Sequence, residues 1–350
     1  TMAYSTIIKP SDYFNTKLYT GNGSTNAITG VGFQPDWTWV KGSTLDQCWF
    51  DSVRGVTKRL RSNTSNAEDT TSGVTAFGTD GFTLGSSAEE NQNSTTFTSW
   101  NWKAGTTSGI TTDGSSNITP SGYSFNTTSK FSVVKWAGTG VDGAYLPHGL
   151  GVVPSVAIIK KTSASEEWVM FHIGLGTNAR QEYLRLNNTA AKVTTSGIWY
   201  SQLPTATNIR LSNDSWVNAS GSDYVGYFFA DTPGYQKHDS YLGNGNADGT
   251  FTYTGFKPAW VLIKNAGETQ NWILLDNKRD VSPNPHKLAY FPNAGDAQAG
   301  DYNTDFLSNG FKIRSNTGQI NNNNISYVYM AFAQNPFTAN VDGGLPVTAV

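Results

Sequence analysis

Few side chains in this chain are placed to do chemistry. Glutamate occurs only at Glu68, Glu89, Glu90, Glu166, Glu167, Glu182 and Glu268. A glycosidase needs two carboxyl groups about 5–9.5 Å apart across a cleft. On a strand, adjacent residues such as Glu89-Glu90 or Glu166-Glu167 face opposite sides, so neither pair supplies that geometry. The histidines His148, His172, His238 and His286 stand too far apart to form a zinc-ligand motif. No Gly-x-Ser-x-Gly elbow is present. The single cysteine, Cys48, precludes an intrachain disulfide and reads as a buried, inert thiol. Asp51 is followed by Arg54, and Asp276 by Arg279. His172 stands at the corresponding place in the middle copy; Asp51 is offset by two residues against Asp276 and His172, so equating the three requires a loop of different length. A repeated acid–base pair after a core strand reads as a structural ion pair. No catalytic residue, metal or cofactor is assigned.

Binding candidates fall into three groups. Arg54, Lys58, Arg59 and Arg61 crowd one segment. With a net charge of −2 the chain has no electrostatic case for nucleic acid, so this segment reads as a solvated loop or a contact with an acidic neighbour. Trp199, Tyr200 and Trp216 are aromatic residues available for stacking on a sugar ring or for burial in an interface. Residues 1–18 form an apolar arm, with Tyr4, Ile7, Pro10, Tyr13 and Phe14. It is read either as packing on its own first domain or as anchoring the chain to a partner.

The elements that must position these residues are written three times. Gly32 to Lys41 reads Gly-Phe-Gln-Pro-Asp-Trp-Thr-Trp-Val-Lys, and related blocks run from Gly151 to Lys160 and from Gly255 to Lys264. The proline-to-lysine step is constant (Pro35–Lys41, Pro154–Lys160, Pro258–Lys264), as is the step to the next tryptophan (Trp49, Trp168, Trp272). Upstream of each block lies an aromatic residue followed by Gly-x-Gly: Tyr19, Trp136 and Tyr241. Each copy closes on an aromatic strand, with Trp100, Tyr227 and Tyr329 as the matched positions. A fixed period of this kind marks an array. Low charge (14%), abundant Gly, Ser, Thr and Asn, and 13% aromatic residues predict short strands with aromatic cores. The predicted fold is all-β: three tandem antiparallel β-sandwich repeats, jelly-roll by default, behind an extended N-terminal arm. The expected boundaries are an arm at 1–18, repeats at 19–104, 131–231 and 232–334, a Ser/Thr/Gly-rich linker at 105–130 with a weak strand near Tyr123, and an irregular tail at 335–350. No stretch approaches the roughly 20 apolar residues of a membrane helix, and no secretory signal is visible.

Several of these motifs resemble repeats in virion proteins of tailed, mainly marine, bacteriophages. The run from Tyr19 to Trp37, Phe50-Asp-Ser-Val-Arg-Gly, Asp80-Gly-Phe-Thr-Leu-Gly, Trp100-Asn-Trp-Lys-Ala-Gly and the stretch Phe251 to Lys264 carry the resemblance. It implies a concanavalin-like sandwich and a tail- or fibre-associated structural role without enzymatic activity, and it carries over no catalytic residues. The expected partners are other copies of the chain in a homo-oligomer, other tail or capsid proteins and a host-surface glycan, with no nucleic acid and no membrane insertion. The expected location is the virion, after synthesis in the host cytoplasm. A capsid-surface decoration or head fibre protein, gripping the shell through the arm and Arg54–Arg61, is the first alternative. A sandwich-fold polysaccharide hydrolase is the second.

Overall fold

Near-continuous apolar runs such as Trp260 to Ile263 make both faces of the repeated strands buriable, and both faces are buried. The computed structural model describes residues 5–280 and 284–336. It is mostly β, and every strand pairing is antiparallel. Each copy contributes one large sheet with the same four-strand kernel. In copy one the order is Phe14–Thr20, Thr96–Trp102, Trp37–Gly42, Gln47–Asp51. In copy two it is Phe131–Ala137, Asp223–Phe229, Val156–Lys161, Val169–His172. In copy three it is Gln236–Leu242, Ser326–Pro336, Phe256–Asn265, Trp272–Asp276. The linker adds Pro120–Asn126 to the edge of the second sheet, around the expected weak strand.

One face of each large sheet packs over a small sheet of its own copy. In copies one and three this small sheet has three strands; in copy two it has two, Ala144–Pro147 and Asn208–Leu211. Between the layers lie three separate outer cores. Val40 and Phe50 belong to the first, Ile159 and Phe171 to the second, and Ile263 and Leu275 to the third. The opposite faces of all three large sheets meet in one central core. Trp37, Trp39, Trp49, Trp100 and Trp102 of copy one pack there with Ile158, Trp168 and Tyr227 of copy two and Trp260, Leu262 and Phe332 of copy three. The tryptophans, expected to fill individual sandwiches, mostly fill this shared centre. Trp37 stacks on Trp102 with centroids 4.0 Å apart and tilts against Tyr227 of copy two at 5.1 Å.

Strand register corrects one reading of the repeat. Lys41 pairs with Gln47, whereas Lys160 lies one step beyond Ile159, which pairs with Val169, and Lys264 pairs with Trp272. The hairpin of copy one is two residues shorter, so Gln47, not Trp49, occupies the place of Trp168 and Trp272. The same shift brings Asp51, His172 and Asp276 into equivalence, opposite Trp37, Val156 and Trp260. The matched positions of the closing strands also move. Trp39 faces Trp100, Ile158 faces Tyr227 and Leu262 faces Met330, so Met330, not Tyr329, is the third member.

The Gly-x-Gly turns are held by a buried asparagine. Asn91, Asn218 and Asn321 are fully buried. Each accepts from the backbone N–H of the residue between the two glycines (Asn22, Thr139, Asn244) and donates to oxygens of the same turn. The first glycine of each motif lets the chain pass a carbonyl where a Cβ would collide: Gln92 O for Gly21, Ala219 O for Gly138 and Asn322 O for Gly243. The second glycine sits at φ near +68° in every copy. The aromatic residue before each turn stacks on the closing strand, Tyr19 on Phe97, Trp136 on Tyr224 and Tyr241 on Tyr327.

Two outcomes follow from this packing. Because one core is common to all copies, calorimetry should show a single cooperative transition, and three resolved transitions would contradict the shared core. Asn321→Ala should destabilise by at least about 2 kcal/mol in denaturant titration, since it strands buried carbonyls and an N–H.

Candidate functional site: a cleft in the middle copy

The residues singled out for binding are mostly engaged within the chain. Tyr4 lies outside the described residues. Ile7 and Phe14 are buried in the central core, with Phe14 stacked on Phe332 of copy three at 5.0 Å. Pro10 is buried, and Tyr13 packs edge-on against Tyr235 at 6.0 Å. Phe14 also opens the first strand of copy one, so that copy starts ahead of residue 19. The basic segment is neutralised internally. Arg54 pairs with Asp51 (2.5 Å) and Glu68 (3.0 Å), and Lys58 lies 3.6 Å from Glu68. Arg59 bridges Asp69 and the buried Glu90, and Arg61 bridges Asp46 and Asp69. Arg279 repeats the Arg54 arrangement on Asp276 at 2.6 Å, as expected of a structural pair. Cys48 is free and buried.

The three aromatic candidates separate. Trp199 is fully buried, packs edge-on against Phe171 and donates its indole N–H to Glu182 O. Trp216 is half-buried between Tyr183 and the Arg185 guanidinium. Tyr200 alone is exposed, at 36%, and it lines a cleft of about 480 Å³ with Asp142, Ser196, Gly197, Ser201, Ser212, Asn213 and Asp214.

Local structure explains the cleft. Where copies one and three carry a third small-sheet strand, Val74–Gly78 and Thr304–Leu307, copy two has an irregular segment after Val193–Thr194. Trp199 fills the core beneath it. The segment then turns through Tyr200 and Ser201, both in the left-handed region at φ 50° and 53°. This turn presents the Tyr200 ring outward. The Arg210 guanidinium lies 4.0 Å from the Tyr200 centroid and 4.8 Å from that of Tyr145, and its Nε donates to Gly143 O. Ser212 Oγ donates to Gly197 O and ties the two walls together. Asp142 accepts from Asn213 N–H at 3.2 Å, and Asp214 accepts from Trp216 N–H at 2.8 Å, each through Oδ1. The arrangement is an aromatic platform beside carboxylate, amide and hydroxyl groups. Only Tyr200 was legible as a site residue. The signal for the rest was the departure of the middle copy from the repeat, which lacks the Gly-Phe turn found at Gly81 and Gly310.

Sequence comparison places the whole chain. It belongs to the DUF7483 family. This is a domain of unknown function, matched over residues 9–336. No curated protein and no solved structure gives a significant match. The DUF7483 match runs from just before the short turn Pro10–Asp12 to the end of the last strand at Pro336, and so takes in all three copies. Among the described residues no helix is long and apolar enough to cross a membrane, and no group of three or more His, Cys, Asp or Glu is gathered for a metal.

The most perturbed lysines of this DUF7483 chain are structural. Burial pushes Lys41 down to about 8 and Lys160 and Lys264 down to about 7. Each closes the repeated block and reaches a carbonyl of another copy: Lys160 to Ser65, Lys264 to Thr189 and Lys41 to Gly295. Their folded values lie below the ordinary 10.5, so the unfolded chain binds more protons between about pH 7 and 10 and stability rises with pH across that window. Buried tyrosines, raised above 10 by desolvation, reverse the slope at higher pH. Urea midpoints should therefore climb from pH 7 to 9.5, less steeply in Lys160→Met. A flat or falling profile would exclude these lysines as the titrating groups.

Proposed function

We propose that this protein is a non-enzymatic structural component of a bacteriophage virion, tail- or fibre-associated and present in several copies. Its three sandwich copies, jelly-roll or concanavalin-like, act as one rigid module that presents the middle-copy cleft to a host-surface glycan. The observation that carries this reading is the contrast between that cleft and the rest of the molecule. Elsewhere the charged groups of the repeat are consumed in ion pairs within a copy and in lysine–carbonyl contacts between copies, which suits a structural part more than a reaction site. The resemblance of the Tyr19–Trp37 and Phe251–Lys264 runs to tailed-phage virion repeats supports the particle assignment. Burial of Ile7, Pro10 and Phe14 and internal pairing of Arg54, Arg59 and Arg61 leave less of the arm and basic segment to grip a capsid shell, which favours the tail over the decoration role.

Cryo-EM of the intact particle, with the protein marked by a fused tag, tests the placement. Tag density on the tail or its fibres is the expected result, and density confined to the head surface would replace this reading with the decoration role. The non-enzymatic part has its own check. Purified protein should release no reducing ends from host envelope polysaccharide, and turnover abolished by Asp142→Asn or Asp214→Asn would make the protein a hydrolase.

A further inference from the structure

We infer that the cleft between Tyr200, Asp142 and Asp214 recognises a neutral or amino-substituted pyranose and rejects acidic sugars. The inference rests on the glycan-contact reading above and names the ligand class for it.

Shape and composition lead to this class. The cleft, about 480 Å³, falls within the roughly 300–1,000 Å³ typical of small-ligand sites. Among the described residues Tyr200 is the one aromatic residue in its wall, and apart from Gly197 the other lining residues carry short polar side chains. A wholly apolar ligand would leave those groups unpaired, and a planar nucleobase would find only one ring to stack on. A pyranose presents C–H groups on one face and hydroxyls at its rim. The negative face of an aromatic ring attracts the former, and carboxylates accept strong, charge-assisted hydrogen bonds from the latter.

Charge sets the selectivity. Oδ1 of Asp142 and Oδ1 of Asp214 each accept a backbone N–H, and Oδ2 of each has no hydrogen-bond partner among the described residues. The Arg210 guanidinium, 4.0 Å from the Tyr200 centroid, is sandwiched between Tyr145 and Tyr200 and donates to Gly143 O. It lies against Tyr200 but does not line the cleft. A sugar carboxylate would therefore meet two like charges with no cation among the residues lining the cleft, whereas an ammonium or hydroxyl would meet acceptors. Copies one and three carry a strand where copy two forms this cleft, so the site belongs to the middle copy alone.

Saturation-transfer NMR on the full chain, with methyl glycosides of glucose, galactose, mannose, glucosamine, N-acetylglucosamine, glucuronic acid and sialic acid, tests the inference. At least one neutral or amino glycoside should bind, and the two acidic ones should not. Tyr200→Asn, whose new side chain tolerates the left-handed backbone, should weaken binding about tenfold or more while leaving the unfolding midpoint near that of the parent. Asp142→Asn and Asp214→Asn keep the Oδ1 acceptor and remove the charge, so they should weaken the neutral sugar and relax the discrimination against glucuronide. Binding of the acidic sugars equal to the neutral ones, binding unchanged in Tyr200→Asn, dependence on added calcium, or no binding by any glycoside would each overturn the inference. These results are independent of where particle imaging places the protein, so either conclusion can fail alone.

Discussion

The structure depends on one constraint: each large sheet is apolar on both faces, and a small sheet covers only one of them. The uncovered face must find other apolar surface, and in this chain it finds the corresponding faces of the two other copies. Large aromatic side chains bury about 150–250 Å² each, which makes this centre the largest apolar feature of the molecule. Among the described residues the indole N–H groups of Trp37, Trp49, Trp102 and Trp260 have no hydrogen-bond partner. Edge-to-face contacts surround them, such as Trp102 on Trp260 with rings at 89° and Trp49 on Tyr227 at 89°. By contrast, Trp168 and Trp272, at the seams between copies, donate to Arg61 O and Arg185 O of the preceding copy.

Those seam contacts form a ring closed within one chain. Gln47 stands in register with Trp168 and Trp272, and its Nε2 donates to Phe291 O, so the third seam is completed by an amide where the others use an indole. A second set of contacts links the same pairs of copies. Tyr227 donates to Asp51, His172 contacts Tyr329 O and Trp100 donates to Asp276. Head-to-tail interfaces that close after three steps are the logic of cyclic oligomers. Covalent linkage removes the concentration dependence of such a ring and allows its members to diverge. The arm strengthens the seam between the first and last copies, where Phe14 stacks on Phe332.

Much of this was legible as period and little of it as geometry. The proline, lysine and Gly-x-Gly anchors identified three equivalent units; the lysine and the Gly-x-Gly turn have the same task in every copy, whereas Pro35 and Pro154 stand just before their strands and Pro258 lies within Phe256–Asn265. The constant step from proline to tryptophan misled, because a hairpin shorter by two residues offset a tryptophan placed two residues later. Nothing in the linear sequence sets Asn91, Asn218 and Asn321 apart, because asparagine is common in this chain, Asn321 opens a polar run that reads as solvated, and only burial distinguishes the three. The basic run from Arg54 to Arg61 looked like a surface for partners, yet its counter-charges, Asp46, Asp51, Glu68, Asp69 and Glu90, come from other strands and loops of the same copy. Linear sequence displays the clustered charge and hides the dispersed one.

The middle copy shows how a repeated scaffold acquires a unique site. Its large sheet must keep the shared register, since Ile158, Trp168 and Tyr227 all face the common centre. Its outer layer carries no such obligation toward the other copies. There the third strand of the small sheet is gone, and Trp199 occupies the core position below the segment that replaces it. A side chain buried on that scale can hold an irregular backbone in place without the ladder of a strand. The adjoining Tyr200 follows directly on this buried anchor, rests against Arg210 and remains exposed to solvent. Divergence confined to the outer layer leaves the ring intact, which is why the cleft lies on the periphery of copy two and away from the seams.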